Sequence, residues 1–175
     1  MVPEENVIRV NGSGKKIGIA GKTQAHEKGF LHRAFSIFIF NDNGLMLLQK
    51  RAATKYHFAG LWTNACCSHP RPGEKVKAAA NRRLHEELGF TTPLVIKDHI
   101  LYSFHDEQSN LFEHEFDHIL TGRYNGEILW SRNEVSSIRW ISPDVVAQEI
   151  MSYPQRFTPW FKLIMHSCVF QSGAQ

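Results

Sequence analysis

The sequence predicts an α/β domain in which a mixed β-sheet lies between helices, with a small hairpin near the N-terminus. Two observations carry this prediction. Runs of β-branched and aromatic residues occur in pairs joined by turn residues, which is typical of hairpins. Segments between and after these pairs carry helix start and stop signals. With 175 residues and 42% hydrophobic content, the chain has the size of one domain spanning 1–175.

The first half of the chain supplies two strand pairs. Residues 7–10 and 17–20 flank a turn signal and predict the N-terminal hairpin. Residues 31–40 are too rich in apolar side chains for a surface strand, so we expect a buried central strand. Turn residues 41–44 end it, and residues 45–49 are expected to pair back antiparallel.

The second half begins with a helix over residues 75–88, which is followed by Gly89 where a left-handed C-terminal cap favours glycine. Residues 96–104 and 111–124 predict two strands joined by a turn. Successive side chains of a strand point to opposite faces. The second of these strands therefore presents its acidic side chains on one face and two histidines on the other: Glu113, Glu115 and Asp117 against His114 and His118.

Two C-terminal helices are marked by Ser142 and Thr158, because each is a capping hydroxyl followed by proline. The first helix should cover residues 144–151, and the second should run from 160 to about 170. Residues 171–175 are expected to form a disordered tail. Three side chains of the last helix are expected to pack inward: Leu163, Ile164 and Val169.

Composition limits the partners of the protein. A formal charge of +3, without a basic run interleaved with aromatics, argues against nucleic acid. Three cysteines, two of them adjacent, make a poor disulfide framework, and the N-terminus is neither basic nor apolar. No apolar run approaches the roughly 20 residues that span a bilayer. We therefore expect a cytoplasmic protein, monomeric or weakly homodimeric, with no nucleic-acid or membrane partner.

Residues 61–89 hold the densest chemistry. Cys67 and His69 lie in a turn that leads into the predicted helix. That helix carries two i,i+4 ion pairs, Arg82 with Glu86 and Arg83 with Glu87. For the first pair alone, a solvated surface ion pair is the simpler interpretation. Glu87 is different, because it lies beside the Cys-x-His turn, where a carboxylate can hold a hard cation such as Mg²⁺.

From Ser68 to Phe90 the spacing resembles the Nudix box. That pattern is glycine, five residues, glutamate, seven residues, then arginine, glutamate, an aliphatic residue, any residue, two glutamates, any residue, glycine and an aliphatic residue. Ser68 replaces the first glycine, and Arg83 replaces the first glutamate of the core trio. Metal-dependent Nudix hydrolases use that glutamate to hold cations that activate water, so Arg83 argues against hydrolysis. The remaining positions fit: Glu74, Arg82, Leu84, Glu86, Glu87 and Gly89.

Residues 63–70 resemble the active-site turn of type 1 isopentenyl diphosphate isomerase, a Nudix-fold enzyme that leaves the diphosphate intact. The resemblance covers residues 18–160. It implies the α/β/α Nudix fold and a role in isoprenoid precursor biosynthesis. The implied reaction interconverts isopentenyl and dimethylallyl diphosphate by protonation and deprotonation through a tertiary carbocation.

The resemblance also implies two metal sites. Three imidazoles and a Glu-x-Glu pair match the family's ligands for a borderline metal such as Mn²⁺ or Zn²⁺: His26, His32, His69, Glu113 and Glu115. A second ion, Mg²⁺, would be bound by the substrate diphosphate, Glu87 and the backbone around Cys67. Lys22, Arg51 and Lys55 match positions that hold the diphosphate, and Ser68 adds a hydroxyl. For these cations alone, a role in solubility would be the simpler interpretation.

Cys67 and Glu115 match the family's two proton-transfer residues, and the order in which they act stays open. Cys66 is expected to be a packing residue. Trp160 matches a tryptophan that stabilises the carbocation through its π face, whereas Trp62 fits core packing equally well. Single histidines are more often structural or at the surface than ligands, so seven are left without a role: His57, His85, His99, His105, His114, His118 and His166.

The chain has no tyrosine at one position where the isomerase family has one. A tyrosine that assists the proton-transferring carboxylate is expected about ten residues before Glu113, where this chain has Ser103. Tyr102 and Phe104 flank that position on one strand face, and Phe104 fits the pattern better.

Two other classes of function remain alternatives to the isomerase. One is a metal-dependent Nudix hydrolase of a nucleoside diphosphate derivative, which the box itself suggests. The other is a non-catalytic metal-binding regulator that kept the fold. Release of phosphate would mark the hydrolase, and the absence of any turnover would mark the regulator.

Overall fold

In the computed structural model, which describes residues 5–55 and 57–167, nine strands and four α-helices follow one another along the chain. The strands are β1 (Asn6–Val10), β2 (Lys16–Gly21), β3 (His32–Phe40), β4 (Met46–Arg51), β5 (Trp62–Thr63), β6 (Cys66–Ser68), β7 (Val95–Asp106), β8 (Leu111–Arg123) and β9 (Val135–Ile141). The helices are α1 (Lys22–Lys28), α2 (Val76–Leu88), α3 (Pro143–Ser152) and α4 (Pro159–His166). The N-terminal hairpin, the central strand and α2 were predicted, whereas α1 and β9 were not.

Strand β3 organises the sheet. Strand β8 runs parallel to it from His32 beside Glu115 to Phe40 beside Arg123. The other edge of β3 is shared, first by β1, then by β6 and last by β4. Because β6 occupies this edge, β4 meets β3 only at the Phe40–Met46 pair next to the turn and pairs along its length with β9. The expected hairpin of β3 with β4 is therefore confirmed only at its turn.

The two faces of the sheet carry separate apolar clusters. On one face, Phe35, Ile37 and Ile39 of β3 pack with Leu84 and Leu88 of α2. On the other face, side chains of β3 and β4 pack with those of α3 and α4: Phe38, Met46, Leu48, Val146, Ile150, Phe161 and Ile164. A mixed sheet between helical layers was the predicted fold class, and the structure confirms it.

Three helix ends lie where the sequence predicts, but two of the predicted capping side chains do not cap. Gly89 caps α2 with a φ of 77°, the left-handed conformation that favours glycine. Ser142 and Thr158 precede α3 and α4 as predicted, but neither side chain makes a capping hydrogen bond. The Thr158 hydroxyl donates instead to the Thr63 hydroxyl at 2.9 Å.

In α4, one of the side chains predicted to pack inward is exposed instead. Ile164 is fully buried, as expected, but Leu163 is 49% exposed, so its assignment to the core was wrong. Val169 and the predicted tail 171–175 lie outside the described residues. Within residues 5–55 and 57–167, no helix combines the length and the apolar character that crossing a membrane requires.

Candidate active site

Distant segments of the chain meet at one end of the sheet. His32 begins β3 and lies beside Glu115 in the parallel pairing with β8. His69 follows β6, which pairs antiparallel with β3. His26 is a buried residue of α1, which was not predicted as a helix. Register between strands therefore brings together ligands that lie far apart in the sequence.

These three imidazoles and one carboxylate form a buried cluster. One ligand atom from each of His26, His32, His69 and Glu115 lies within 4.8 Å of the others. The His69 Nε2 atom is 3.1 Å from His32 Nε2 and 2.8 Å from Glu115 Oε1. Imidazole nitrogens that face each other so closely, with a carboxylate beside them, form the donor set of a divalent metal site.

Backbone contacts orient two of the rings. The Nδ1 atom of His26 donates to the Lys22 carbonyl at 2.8 Å, and that of His32 donates to the Phe30 carbonyl at 2.7 Å. A carbonyl oxygen can only accept, so each Nδ1 carries a proton, and in the neutral imidazole Nε2 keeps its lone pair. Outer hydrogen bonds of this kind fix the tautomer and direction of metal-binding histidines. The residues present fit a bound divalent cation.

The electrostatics favour the metal-binding forms of His69 and Glu115, whereas the pKa of His26 is raised because Glu113 outweighs burial there. Burial lowers the pKa of His69 to about 4, against the opposing effect of Glu115, so its ring is neutral at pH 7. Burial also opposes the charge on Glu115, but the neighbouring His32 and His69 imidazoles hold the pKa of Glu115 well below its usual value. Neutral imidazole and ionised carboxylate are the forms that bind metal.

Glu113 lies next to this cluster and contacts one of its imidazoles. Its Oε2 atom is 3.6 Å from His26 Nε2, and its Oε1 atom contacts His57 Nε2. His57 is only 8% exposed and lines the pocket, a position at which the sequence did not place it. Nothing in the sequence marked His57, because the segment that follows β4 carries no periodic pattern that would direct a side chain inward. The alternation on β8 is confirmed, since Glu113, Glu115 and Asp117 are all buried on one face.

Cys67 lies on β6 and lines the same pocket as Glu115 and His69. Its Sγ atom donates to Asn64 Oδ1 at 3.0 Å. Burial, and then the nearby Asp117, raise the pKa of the Cys67 thiol to about 12. The adjacent Cys66 is fully buried in the core beneath α2, which confirms its packing role.

Of the two candidates for the family's tyrosine position, Tyr102 holds it. Its hydroxyl donates to Glu115 Oε2 at 2.6 Å, and its side chain is buried. Phe104 is 37% exposed and contacts Phe58, so the expectation that Phe104 holds this position was wrong. Tyr102 lies directly opposite Glu115 in the pairing of β7 with β8. The expected position was therefore off by one residue, because Ser103 stands where the count from Glu113 ends.

Cations line the pocket. The residues predicted to hold the diphosphate, Lys22, Arg51, Lys55 and Ser68, all border it. Arg83, for which no such role was predicted, borders it as well. Arg51 is fixed by hydrogen bonds to the carbonyls of Phe58, at 3.2 Å, and His57, at 3.1 Å. Each of the two lysines has an acidic partner: Lys22 lies 3.7 Å from Glu5, and Lys55 pairs with Glu134. The pocket thus offers several positive charges to an anionic group.

Arg83 stands where the Nudix box has glutamate, and its guanidinium binds Glu87. Its Nη2 atom is 2.7 Å from Glu87 Oε1 and 3.4 Å from Glu134. Gln49 donates to the other Glu87 oxygen at 3.0 Å. Burial of Arg83 is offset by Glu87, so the pKa of Arg83 is raised and its charge persists. A cation therefore takes the place of a metal-binding carboxylate.

An indole forms part of the pocket wall. Trp160 is 4% exposed, lines the pocket, and donates from Nε1 to the Thr63 hydroxyl at 3.1 Å. The Arg51 guanidinium lies 5.4 Å from the centroid of the Trp160 ring. Trp62 instead packs at the edge of the core beneath Arg139, 4.4 Å from its ring centroid. Core packing is thus the better description of Trp62.

The fold and the Nudix box together define the class of protein. The NUDIX domain model matches residues 30–161, and the chain belongs to the Nudix family. Its relatives make the assignment finer. It is 46% identical to isopentenyl-diphosphate Delta-isomerase 2 of Photorhabdus laumondii, covering 96% of this chain and 94% of the relative. It is also 46% identical to isopentenyl-diphosphate Delta-isomerase of Serratia proteamaculans, covering 93% and 90%. Within the Nudix family, it is a member of the family of these isomerases.

Solved structures show the same fold at low identity. DR0079 from Deinococcus radiodurans superposes with a TM-score of 0.74 at 18% identity, covering 92% of this chain and 97% of that one. The MutT protein from Methanosarcina mazei superposes with a TM-score of 0.61 at 19% identity, covering 77% and 90%. These likenesses describe architecture alone.

Proposed function

We propose that this protein is an isomerase that interconverts isopentenyl diphosphate and dimethylallyl diphosphate. One observation carries the proposal. A thiol, Cys67, and a carboxylate held by a phenol, Glu115 with Tyr102, border one pocket that also has an indole wall and several cations. Two isomerases of this name match nearly the whole chain.

The reaction explains why these groups are needed. A proton adds to the terminal alkene carbon and gives a tertiary carbocation, and loss of a proton from carbon 2 forms the new double bond. An alkene is a very weak base, so its protonation needs a positioned acid, a base for the second proton and shelter from water. We assign the two proton transfers to Cys67 and Glu115. Tyr102 holds the Glu115 carboxylate through its 2.6 Å hydrogen bond.

The indole of Trp160 would stabilise the positive charge of the carbocation. An aromatic face stabilises a nearby cation by about 2 kcal/mol when water is excluded. Trp160 is almost fully buried, and its ring already has the Arg51 guanidinium 5.4 Å from its centroid. We therefore propose that the carbocation forms beside Trp160.

Metals complete the site. His26, His32, His69 and Glu115, with Glu113 beside them, would hold Mn²⁺ or Zn²⁺, which fixes the carboxylate and tunes its basicity. Glu87 and the backbone at Cys67 would hold Mg²⁺ together with the substrate diphosphate. Lys22, Arg51, Lys55 and Ser68 would bind the diphosphate oxygens, and Arg83 adds a further charge. The cytoplasmic location and the monomeric or weakly dimeric state stay predictions.

Hydrolysis of a nucleoside diphosphate derivative is the rival function. Arg83 argues against it, because it replaces the glutamate of the box that metal-dependent Nudix hydrolases use to hold the cations that activate water. Isomerisation leaves every phosphate bond intact, so the two functions differ in products.

Incubation with isopentenyl diphosphate and Mg²⁺ tests the proposal. We expect dimethylallyl diphosphate without released phosphate, and we expect Cys67→Ala to abolish its formation, because that change removes a proton-transfer group and little volume. Cys66→Ala is the matched control, since it removes a thiol that faces the core. We expect it to keep at least about a third of the turnover, with a small loss of stability. Phosphate release by the native protein, or more than a few per cent of turnover by Cys67→Ala, would contradict the proposal.

A further inference from the structure

Asn64 is a completely buried amide beside the Cys67 thiol. Its Nδ2 atom donates to two backbone carbonyls, those of Ile37 and Cys66, at 3.0 Å each. Both amide hydrogens are therefore used, and the orientation of the side chain is fixed. The amide oxygen is the end that remains for other partners.

That oxygen accepts from two donors. Cys67 Sγ donates to Asn64 Oδ1 at 3.0 Å, and Thr63 Oγ1 donates to it at 3.0 Å. The direction of the thiol is thereby set by a side chain that is itself immobile. Asn64 does not border the pocket, so it acts on the thiol from behind.

Thr63 connects this arrangement to the indole. Its hydroxyl accepts from Trp160 Nε1 at 3.1 Å and from Thr158 Oγ1 at 2.9 Å, while its own hydrogen goes to Asn64. One hydroxyl has one donor and two acceptor sites, so the Thr63 hydroxyl is saturated. Its side chain is 1% exposed, where water cannot replace a lost partner.

We propose that Thr63 and Asn64 are positioning residues that fix the Cys67 thiol and the Trp160 indole relative to each other. The hydrogen bonds form one continuous path from the indole N–H through the Thr63 hydroxyl and the Asn64 amide to the thiol. This inference rests on the proposed isomerisation, in which a proton moves at the sulfur while charge develops beside the indole. A displacement of either group by about 1 Å would slow such a step by about 100-fold.

Kinetics of hydroxyl variants test this role. Thr63→Val removes the hydroxyl and keeps the shape, so we expect kcat to fall by about 10- to 100-fold. Thr63 borders the pocket, but its hydroxyl already has its full set of partners within the protein, so KM should stay within about threefold. Thr63→Ser keeps the hydroxyl and should stay within about threefold of the native kcat. Thr92→Val is the matched control: it removes a hydroxyl that donates to the Arg123 carbonyl at 2.6 Å, and we expect less than about a twofold change.

The indole N–H resonance gives a readout that does not depend on turnover. In a proton–nitrogen NMR spectrum, assigned by the signal lost in Trp160→Phe, the Trp160 indole signal should shift in Thr63→Val. It should stay in place in Thr63→Ser and Thr92→Val. If the native protein forms no dimethylallyl diphosphate, the proposed function fails, and this shift still decides whether the hydrogen-bonded path exists.

Three results would overturn the inference. The first is a kcat of Thr63→Val within about threefold of the native value. The second is a kcat of Thr63→Ser as low as that of Thr63→Val, and the third is an unchanged indole signal in Thr63→Val. Should Thr63→Val not fold, Thr63→Ala and Thr63→Ser replace the comparison, because they lack the same methyl group and differ only in the hydroxyl. Equal kcat values for that pair would likewise overturn it.

Discussion

At the scale of single residues, the Tyr102 hydroxyl sets the state of Glu115. It donates to Oε2 at 2.6 Å, while His69 contacts Oε1 at 2.8 Å, so both oxygens of the carboxylate are occupied. Burial, and then Glu115, raise the pKa of Tyr102 well above its usual value, which keeps the phenol protonated as a donor. The phenol can therefore hold the carboxylate throughout a proton transfer.

We predict that Tyr102→Phe lowers kcat for isomerisation by about 10- to 100-fold, the cost of losing one hydrogen bond to a charged group. Steady-state kinetics with isopentenyl diphosphate give the value. Tyr153→Phe serves as control, because Tyr153 is 47% exposed and lies outside the pocket. A Tyr102→Phe enzyme within twofold of native would remove Tyr102 from the account.

Sequence reasoning found most of these residues and missed others for definite reasons. The alternation on β8 was enough to place Glu113 and Glu115 on one buried face. The count to Tyr102 failed because it carried a family spacing onto this chain, in which the tyrosine stands one residue earlier. His57 could not be found, since its contact with Glu113 joins a loop to a strand that is distant in the chain.

At the scale of elements, the pairing of β3 with β6 and β8 brings together most of the buried cluster of imidazoles and Glu115. His32 lies beside Glu115 across one edge of β3, and β6 on the other edge delivers His69. Neither pairing could be predicted from the sequence. The parallel partner of β3 lies more than seventy positions further along the chain, and β6 is only three residues long. The family resemblance, rather than periodicity, joined these ligands.

We predict that His69→Ala lowers the transition metal retained after dialysis, because the change removes one of four clustered ligands. Elemental analysis of the purified protein measures the metal per chain. His99→Ala is the control, since the His99 side chain is 58% exposed and belongs to no such cluster among the described residues. Equal metal content in His69→Ala and native protein would place the metal elsewhere.

Helix α2 carries the departure from the hydrolase box. We predict that Arg83→Glu creates no efficient diphosphate hydrolase and lowers thermal stability. A new carboxylate would face Glu87 and Glu134, with Lys55 still paired to Glu134 but no guanidinium beside Glu87. Arg83→Gln, which removes the charge without adding an opposite one, should lose less stability. Phosphate release and thermal unfolding, with and without Mg²⁺, provide the measurements. Rapid cleavage of the diphosphate by Arg83→Glu would show that one residue separates the two chemistries.

At the scale of the whole molecule, the sheet places two kinds of group at one pocket. The cluster of imidazoles and Glu115, together with Tyr102, comes from α1, β3, β7, β8 and the residue after β6. The cations come from α1, β4, α2 and the segment after β4, so α1 contributes to both. The layered α/β/α class followed from hairpin and helix signals that are local in sequence. The order of strands around β3 did not, because strand partners depend on packing between segments far apart in the chain.

Proton exchange with solvent tests the central claim most directly. The native enzyme should be brought to equilibrium with isopentenyl diphosphate and Mg²⁺ in D₂O, and both compounds should be recovered for NMR and mass spectrometry. Because both proton transfers are reversible and exchange with solvent, we predict deuterium in the dimethylallyl diphosphate and in the recovered isopentenyl diphosphate. Interconversion that leaves both compounds unlabelled would contradict protonation and deprotonation at the Cys67–Glu115 pocket.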